Sequence, residues 1–396
     1  MSNLINGVKN GLRIKSDARK VYRALQKHLN TMPVGYPATL TGVELRLLAR
    51  FFTAEEAQAA LNIGWRLETF DEIYQRARQK GYAEGQFQEL IESMANKGSI
   101  FSSVSGEQKR YACHPFIIGM YEMMVTRSTP SFYLDTRDYM MQGYSTEYYA
   151  TKVRQMRVIP IQASVTPQLS IATYDDIRQL VDQAQDRIGV TKCICKMSKD
   201  KLGKHCEVTD RREICIGFRD FYDIYDRNEG WGRTISKQEA FEILDQNEKD
   251  GLVLMPSSMQ DAQFVCSCCG CCCGIMELVS MMPRSVDFVE SNYRAVLKTE
   301  TCTGCGICKK RCHMQAIIYD DTSATAKAIA IDERKCIGCG LCVSTCKSKS
   351  LSLSRKEKEF VPPKDIEELY SVIYQNKKST VGKYTMMLKA MLGREV

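Results

Sequence analysis

Nineteen cysteines stand among the 396 residues, and 18 of them fall between Cys193 and Cys346, with Cys113 alone outside. A hydrophobic core would scatter its thiols. This chain segregates them and repeats their spacing. Cys302, Cys305, Cys308 and Cys312 form a C-x2-C-x2-C-x3-C run, and Cys336, Cys339, Cys342 and Cys346 form it again 34 residues later. In such a run three closely spaced thiolates wrap one cluster in a tight loop, and the fourth lies a helical step away. The odd total, the adjacent pairs and a start without an apolar export segment argue against a disulfide framework. The expected chemistry is thiolate ligation of iron–sulfur clusters in a reducing cytoplasm. Eight thiols in this duplicated pattern argue against zinc.

Over residues 300–352 the pattern resembles the bacterial 2[4Fe-4S] ferredoxin. In such two-cluster modules the fourth cysteine of each run serves the other cluster. The resemblance therefore implies one cube on Cys302, Cys305, Cys308 and Cys346, and another on Cys336, Cys339, Cys342 and Cys312. Gly304, Gly306, Gly338 and Gly340 let the backbone approach sulfur and donate N–H groups to it. The family usually has proline after the fourth cysteine; here His313 and Lys347 stand there. Lys347 is expected to raise a cluster potential by stabilising the reduced form.

Ten more thiols precede this module. Cys193, Cys195, Cys206 and Cys215 come first, then Cys266-Ser-Cys268-Cys269-Gly-Cys271-Cys272-Cys273-Gly. This order is similar to that of a family of large 4Fe-4S proteins of anaerobes, which share a helical segment like MPVGYPATLTGVELRLLARFFTAEEA. The resemblance spans residues 30–355. Cys193, Cys195, Cys206 and Cys215 are read as ligands of a third [4Fe-4S] cluster, the alternative being ordinary buried thiols. In the second group Cys266, Cys268, Cys269 and Cys272 are candidate ligands. A subset would bind a fourth cluster or lend a ligand to the third. Strand alternation would put Cys266, Cys268 and Cys272 on one side. A vicinal dithiol that exchanges or binds substrate sulfur is a rival use. With four histidines, no His-rich metal site stands out. His114 and His205, each beside a cysteine, read as donors to sulfur rather than ligands. No strand-linked G-x-G-x-x-G, P-loop or G-x-S-x-G occurs, so neither NAD, ATP nor a serine nucleophile is indicated, and neither is flavin.

The elements that must position these thiols follow from periodicity and punctuation. Residues 16–29 read as a basic helix capped by Ser16 or Asp17, with Val21, Leu25 and Leu29 on one face. It is either a solvated helix packed on its own domain, the preferred reading, or an arm for an acidic partner or a membrane surface. Pro33, Gly35 and Pro37 mark a boundary. Helices are expected near 41–51, 53–61, 69–80 and 84–97, with Thr53 and Glu56 as a capping box. A hairpin of SIFSSV and QKRYAC follows. Helices followed by a hairpin suggest a winged-helix-like domain. Its helix 84–97 carries Glu84, Glu89 and Glu92 against Lys97, which would repel phosphates and argues against nucleic acid. The Met- and Tyr-rich residues 115–160 read as core. Amphipathic helices are expected over 172–188 and 236–250, and one or two more over 364–396.

The expected fold class is α+β. It comprises a basic N-terminal arm (1–35), a winged-helix-like helical domain (36–160), a mixed cysteine-rich iron–sulfur middle (161–295), a ferredoxin-type dicluster module (296–355) and a helical tail (356–396). Composition is that of an ordinary soluble protein, 44% hydrophobic and 26% charged, and excludes collagen-like and disordered classes. No apolar run is long enough to cross a membrane. The net charge of +8 is mostly terminal: residues 1–30 carry seven Lys/Arg and one acid, whereas 161–354 carry 25 and 26. The expected function is electron transfer, with single electrons passing through several [4Fe-4S] clusters to or from a partner oxidoreductase or carrier, under oxygen-poor conditions. The expected role is that of an electron-transfer protein or an oxidoreductase subunit rather than a stand-alone enzyme, with no catalytic side chain assigned. Peripheral association with a membrane complex is compatible with this reading. Two other classes stay open: an iron–sulfur reductase with a substrate site at the middle cysteines, and a redox-sensing regulator.

Overall fold

The computed structural model describes residues 14–105, 108–167, 169, 171–227, 230–320 and 327–396. Helices and strands are mixed along the chain, as an α+β protein requires. The helix Ser16–Asn30 begins without a side-chain cap and packs Tyr22, Leu25 and Leu29 into the core. The helices Val43–Phe51 and Ala54–Ala60 follow, the second opened by the Thr53/Glu56 capping box. A second such box, Thr69 with Glu72, opens Phe70–Arg78. After the helix Glu84–Asn96 the chain forms the antiparallel hairpin Ile100–Ser105 and Gln108–Cys113, whose second strand also pairs with Glu68–Thr69. Lys109 of the hairpin pairs with Glu92 of the acidic helix.

Most methionines and tyrosines of residues 115–160 are core, as their composition suggests, with Met141 exposed. Met120, Met123, Met124, Tyr139, Tyr144 and Tyr149 are buried, and Phe116 makes edge contacts with Tyr139 and Tyr144. Beyond them lies the sheet that carries the middle cysteines. Five antiparallel strands run in the spatial order Gly232–Thr234, Ile188–Lys192, Glu213–Phe218, Phe264–Cys268, Val253–Pro256. Ile188, Val190, Ile216, Leu254 and Val265 are almost fully buried and fix its register. The helix expected over 172–188 is shorter, at Ile177–Gln183. Asp176 caps it, its carboxylate accepting from the Arg178 N–H, and Ile188 already begins a strand. The helix Lys237–Asp250 ends as expected at Gly251, which takes the left-handed conformation at φ +92°.

The C-terminal module has two related halves. Each has a cysteine loop followed by a short helix, Ile307–Arg311 in the first and Leu341–Ser344 in the second. The strands Tyr293–Leu297 and Leu351–Arg355 pair antiparallel and close it. Two helices, Ile366–Gln375 and Thr380–Met391, form the tail. They return to the N-terminal part. Tyr374 stacks on Trp65 with ring centroids 6.0 Å apart, and Lys377 and Lys383 both pair with the buried Glu147. Among the described residues no helix is long and apolar enough to cross a membrane.

Candidate metal centres

The two ferredoxin quartets line two separate small cavities. Cys302, Cys305, Cys308 and Cys346 surround one of about 20 Å³. Cys312, Cys336, Cys339 and Cys342 surround another of about 30 Å³. Backbone N–H groups aim at sulfur in the second: Ala316 donates to Cys312 Sγ at 3.2 Å and Ala295 to Cys336 Sγ at 3.3 Å. Such donors stabilise charge on a ligating thiolate. Gly338 and Gly340 have φ of +70° and +78°. A Cβ on Gly338 would lie 2.1 Å from the Tyr293 carbonyl oxygen, and one on Gly340 would lie 2.1 Å from Ser164 Oγ. Only glycine fits there. The quartets differ in setting. Cys305 is exposed, whereas Cys336 and Cys342 are buried. Burial pushes the Cys339 thiol up to about 12, so a metal must displace its proton to bind there.

The residues that hold the second quartet also dock it on the middle region, chiefly at the end of the helix Lys237–Asp250. The Ile161 N–H donates to the Cys339 carbonyl at 3.1 Å, and Arg311 donates to the carbonyls of Glu248 and Lys249. His313, next to Cys312 of that quartet, reaches furthest. Its Nδ1 accepts from the Gly270 N–H at 3.3 Å, so Nε2 carries the proton and donates to the Gly251 carbonyl at 2.8 Å. Gly270 lies between Cys269 and Cys271. The Gly270–His313 bond thus ties the dicluster module to the turn that carries the middle cysteines.

The ten middle thiols divide into a ring of six and a knot of four. In the ring, Cys193 meets Cys195 and Cys215, and Cys195 meets Cys273. Cys273 meets Cys268, and Cys266 meets Cys268 and Cys215, closing the circuit. The sheet explains this. Cys215 and Cys266 stand on adjacent strands, Cys268 follows two residues on, and Cys193 leaves the end of a third strand. Cys193 and Cys273 each sit at the start of a helix, Ile194–Lys201 and Gly274–Met281. Acidity alternates around the ring. Neighbouring thiols hold Cys193 and Cys273 well below the ordinary thiol range and Cys266 at about 6. The same contacts push Cys195, Cys215 and Cys268 well above it. Thiols packed this closely share protons among themselves, and metal binding would release those that remain.

In the knot, Cys206, Cys269, Cys271 and Cys272 bring all four sulfurs within 4.8 Å of one another. The structure thus parts Cys206 from Cys193, Cys195 and Cys215, the three with which its spacing grouped it. It likewise sends Cys269 and Cys272 to the knot, away from Cys266 and Cys268. The strand ends at Cys268, so alternation stops there, and the turn at Gly270 carries the next thiols off the sheet. Cys271 and Cys273 were not singled out as ligands from sequence, yet each completes one of these groups. The two histidines read as donors to sulfur face other partners. His205 is exposed, with Nδ1 3.4 Å from Asp200. His114 is buried edge-on to Phe101, and burial holds it at about 3.

The ring also forms one wall of a cavity of about 190 Å³. Its other walls are mostly apolar, with Ile118, Val125, Met140, Met156 and Leu278. Tyr121, Tyr133 and Glu122 add polar atoms, and burial pushes the Glu122 carboxyl up to about 8 against the Gly119 N–H that stabilises its charge.

Residues 301–350 match the family model of the 4Fe-4S dicluster domain. The C-terminal module is such a domain, and each of its two cavities presents four thiols, the donor set that a cube takes. No curated protein and no solved structure matched the chain.

Proposed function

We propose that this protein relays single electrons through several [4Fe-4S] clusters between a redox partner and its own interior. The observation that carries the reading is the His313–Gly270 hydrogen bond, which sets the inner ferredoxin quartet against the middle thiols. The gradient of exposure supports a direction in space. The outer quartet, with Cys305 exposed, is where a carrier or partner oxidoreductase would dock. The inner quartet lies deeper, and the six-thiol ring lies beyond it. A third cluster belongs on the ring, with Cys193, Cys195, Cys215, Cys266, Cys268 and Cys273 as its available ligands. The chain's residues supply spacing, N–H donors to sulfur and exclusion of water; the clusters supply the one-electron chemistry.

The N-terminal helices and hairpin are read as a winged-helix-like unit that serves docking. Glu84, Glu89 and Glu92 on the helix before the hairpin disfavour phosphate, and Lys109 is already paired with Glu92. A second reading has its own support. The ring faces a largely apolar cavity, so an organic substrate bound there would meet electrons delivered by the relay. The chain would then be an iron–sulfur reductase.

Iron and acid-labile sulfide per chain, on anaerobically purified protein, test the relay. About eight of each would confine clusters to the dicluster domain and sink it; about twelve or more would load the middle. His313→Ala then separates connection from loading. It should keep the iron and slow reduction of the inner centres after the outer cluster is reduced.

A further inference from the structure

We infer that Cys206, Cys269, Cys271 and Cys272 hold a single tetrahedral metal ion, zinc or iron, rather than a cubane cluster. The first argument is distance. A metal–sulfur bond of about 2.3 Å in a tetrahedron sets the sulfurs about 3.8 Å apart. Cys206 Sγ is 3.8 Å from both Cys269 Sγ and Cys271 Sγ. Cys271 Sγ is 3.5 Å from Cys269 Sγ and 3.7 Å from Cys272 Sγ. A cube holds its ligands on four separate irons and spreads them wider. The ferredoxin quartets show that spread: among the described residues neither brings its sulfurs within 4.8 Å of one another, and the knot does.

The second argument is charge. Lys196 is 1% exposed, and its Nζ lies 2.9 Å from Cys206 Sγ and 3.0 Å from Cys269 Sγ. A buried ammonium needs anionic partners. Four thiolates on a divalent ion make a dianion, and Lys196 offsets one of its charges. The Val208 N–H adds a donor to Cys206 Sγ at 3.4 Å, as supporting groups around a metal ligand do.

The site would join three pieces of chain. Cys206 follows the helix Ile194–Lys201, the turn Cys269–Cys272 follows the strand Phe264–Cys268, and Gly270 inside that turn holds His313 of the dicluster domain. The ion therefore stands where the dicluster domain meets the ring. Zinc would make it a clamp, and iron would make it one further relay step.

A mononuclear tetrathiolate contains no sulfide, and that decides the test. Full-length protein, purified anaerobically, is assayed for zinc, iron and acid-labile sulfide. One zinc per chain, or one iron in excess of sulfide, is expected. The double variant Cys206→Ser/Cys271→Ser should lose that one atom with sulfide unchanged. Loss of about four irons with four sulfides would overturn the inference in favour of a cube. So would wild-type protein with no zinc and iron equal to sulfide. X-ray absorption on the wild type avoids reliance on the variant's folding. It should show four sulfurs at about 2.3 Å around zinc or the excess iron. Failure here leaves the relay standing if sulfide still reaches about twelve per chain.

Discussion

The dicluster domain and the middle sheet both gather cysteines, but by opposite means. In the first, each loop of a few residues bends around its own cavity, helped by glycines with positive φ, and one cysteine from the other half completes the set. In the second, no loop suffices. Cys193, Cys215 and Cys266 come from three neighbouring strands and meet because buried residues such as Ile216 and Val265 hold those strands in register. A locally wrapped site tolerates insult elsewhere in the fold. A site assembled by register inherits every weakness of its sheet.

The largest effect should come from breaking that register. Ile216 is fully buried in the central strand, and Ile216→Ala should cost about 2–5 kcal/mol. Iron bound by the middle should fall away first. The EPR of the two ferredoxin clusters should persist in the surviving soluble protein. Equal loss from both regions would erase the distinction drawn here.

The next test lies within the dicluster domain. Gly338 and Gly306 share φ near +70° but differ in room. A Cβ at 338 would meet the Tyr293 carbonyl at 2.1 Å, whereas at 306 the nearest atom is Tyr319 Oη at 3.8 Å. Gly338→Ala should empty the inner quartet of about four irons and four sulfides. Gly306→Ala should keep its cluster and lose only about 1–2 kcal/mol of stability to left-handed strain. If both behave alike, the inner quartet is no more tightly built than the outer.

How far the sequence foretells each region follows from the same contrast. Local wrapping writes itself into spacing, so both quartets are readable at Cys302–Cys346. Strand alternation even links Cys266 with Cys268. Register leaves no such trace. Nothing in the spacing of Cys193, Cys195, Cys206 and Cys215 tells that the third belongs elsewhere, because its partners are brought by a turn some sixty residues away. Cys273 joins the ring by opening a helix, a role that alternation cannot anticipate. The helical elements were legible by capping and periodicity, as at Thr53 and Gly251. The helix before Ile188 was overextended because its amphipathic pattern runs on into a buried strand.

A smaller effect concerns the tail helices, which pack back on the N-terminal part. Burial tends to raise the Glu147 carboxyl, but Lys377 and Lys383 outweigh it and hold it below its ordinary value. A lowered carboxyl contributes stability above its unfolded pKa and loses it as pH falls through the folded one. Tail helices should therefore become protease-sensitive as pH drops below about 4.5. Glu147→Gln should show this sensitivity at neutral pH with cluster content unchanged. Loss of iron in that variant would mean that the tail supports the cysteine sites after all.

The smallest effect separates the two residues that stand where proline is usual. His313 is locked between Gly270 and Gly251, so its replacement acts on the connection between regions. Lys347 is exposed beside Cys346, which lines the outer quartet's cavity. Its charge reaches that cluster through water and is screened by salt. Lys347→Ala should lower the outer cluster's potential slightly, and the difference should shrink as ionic strength rises. Redox titrations of both proteins at low and high salt measure it. A shift that salt does not touch would place the lysine's influence in the loop conformation, and the two halves of the dicluster domain would then differ in backbone as well as in burial.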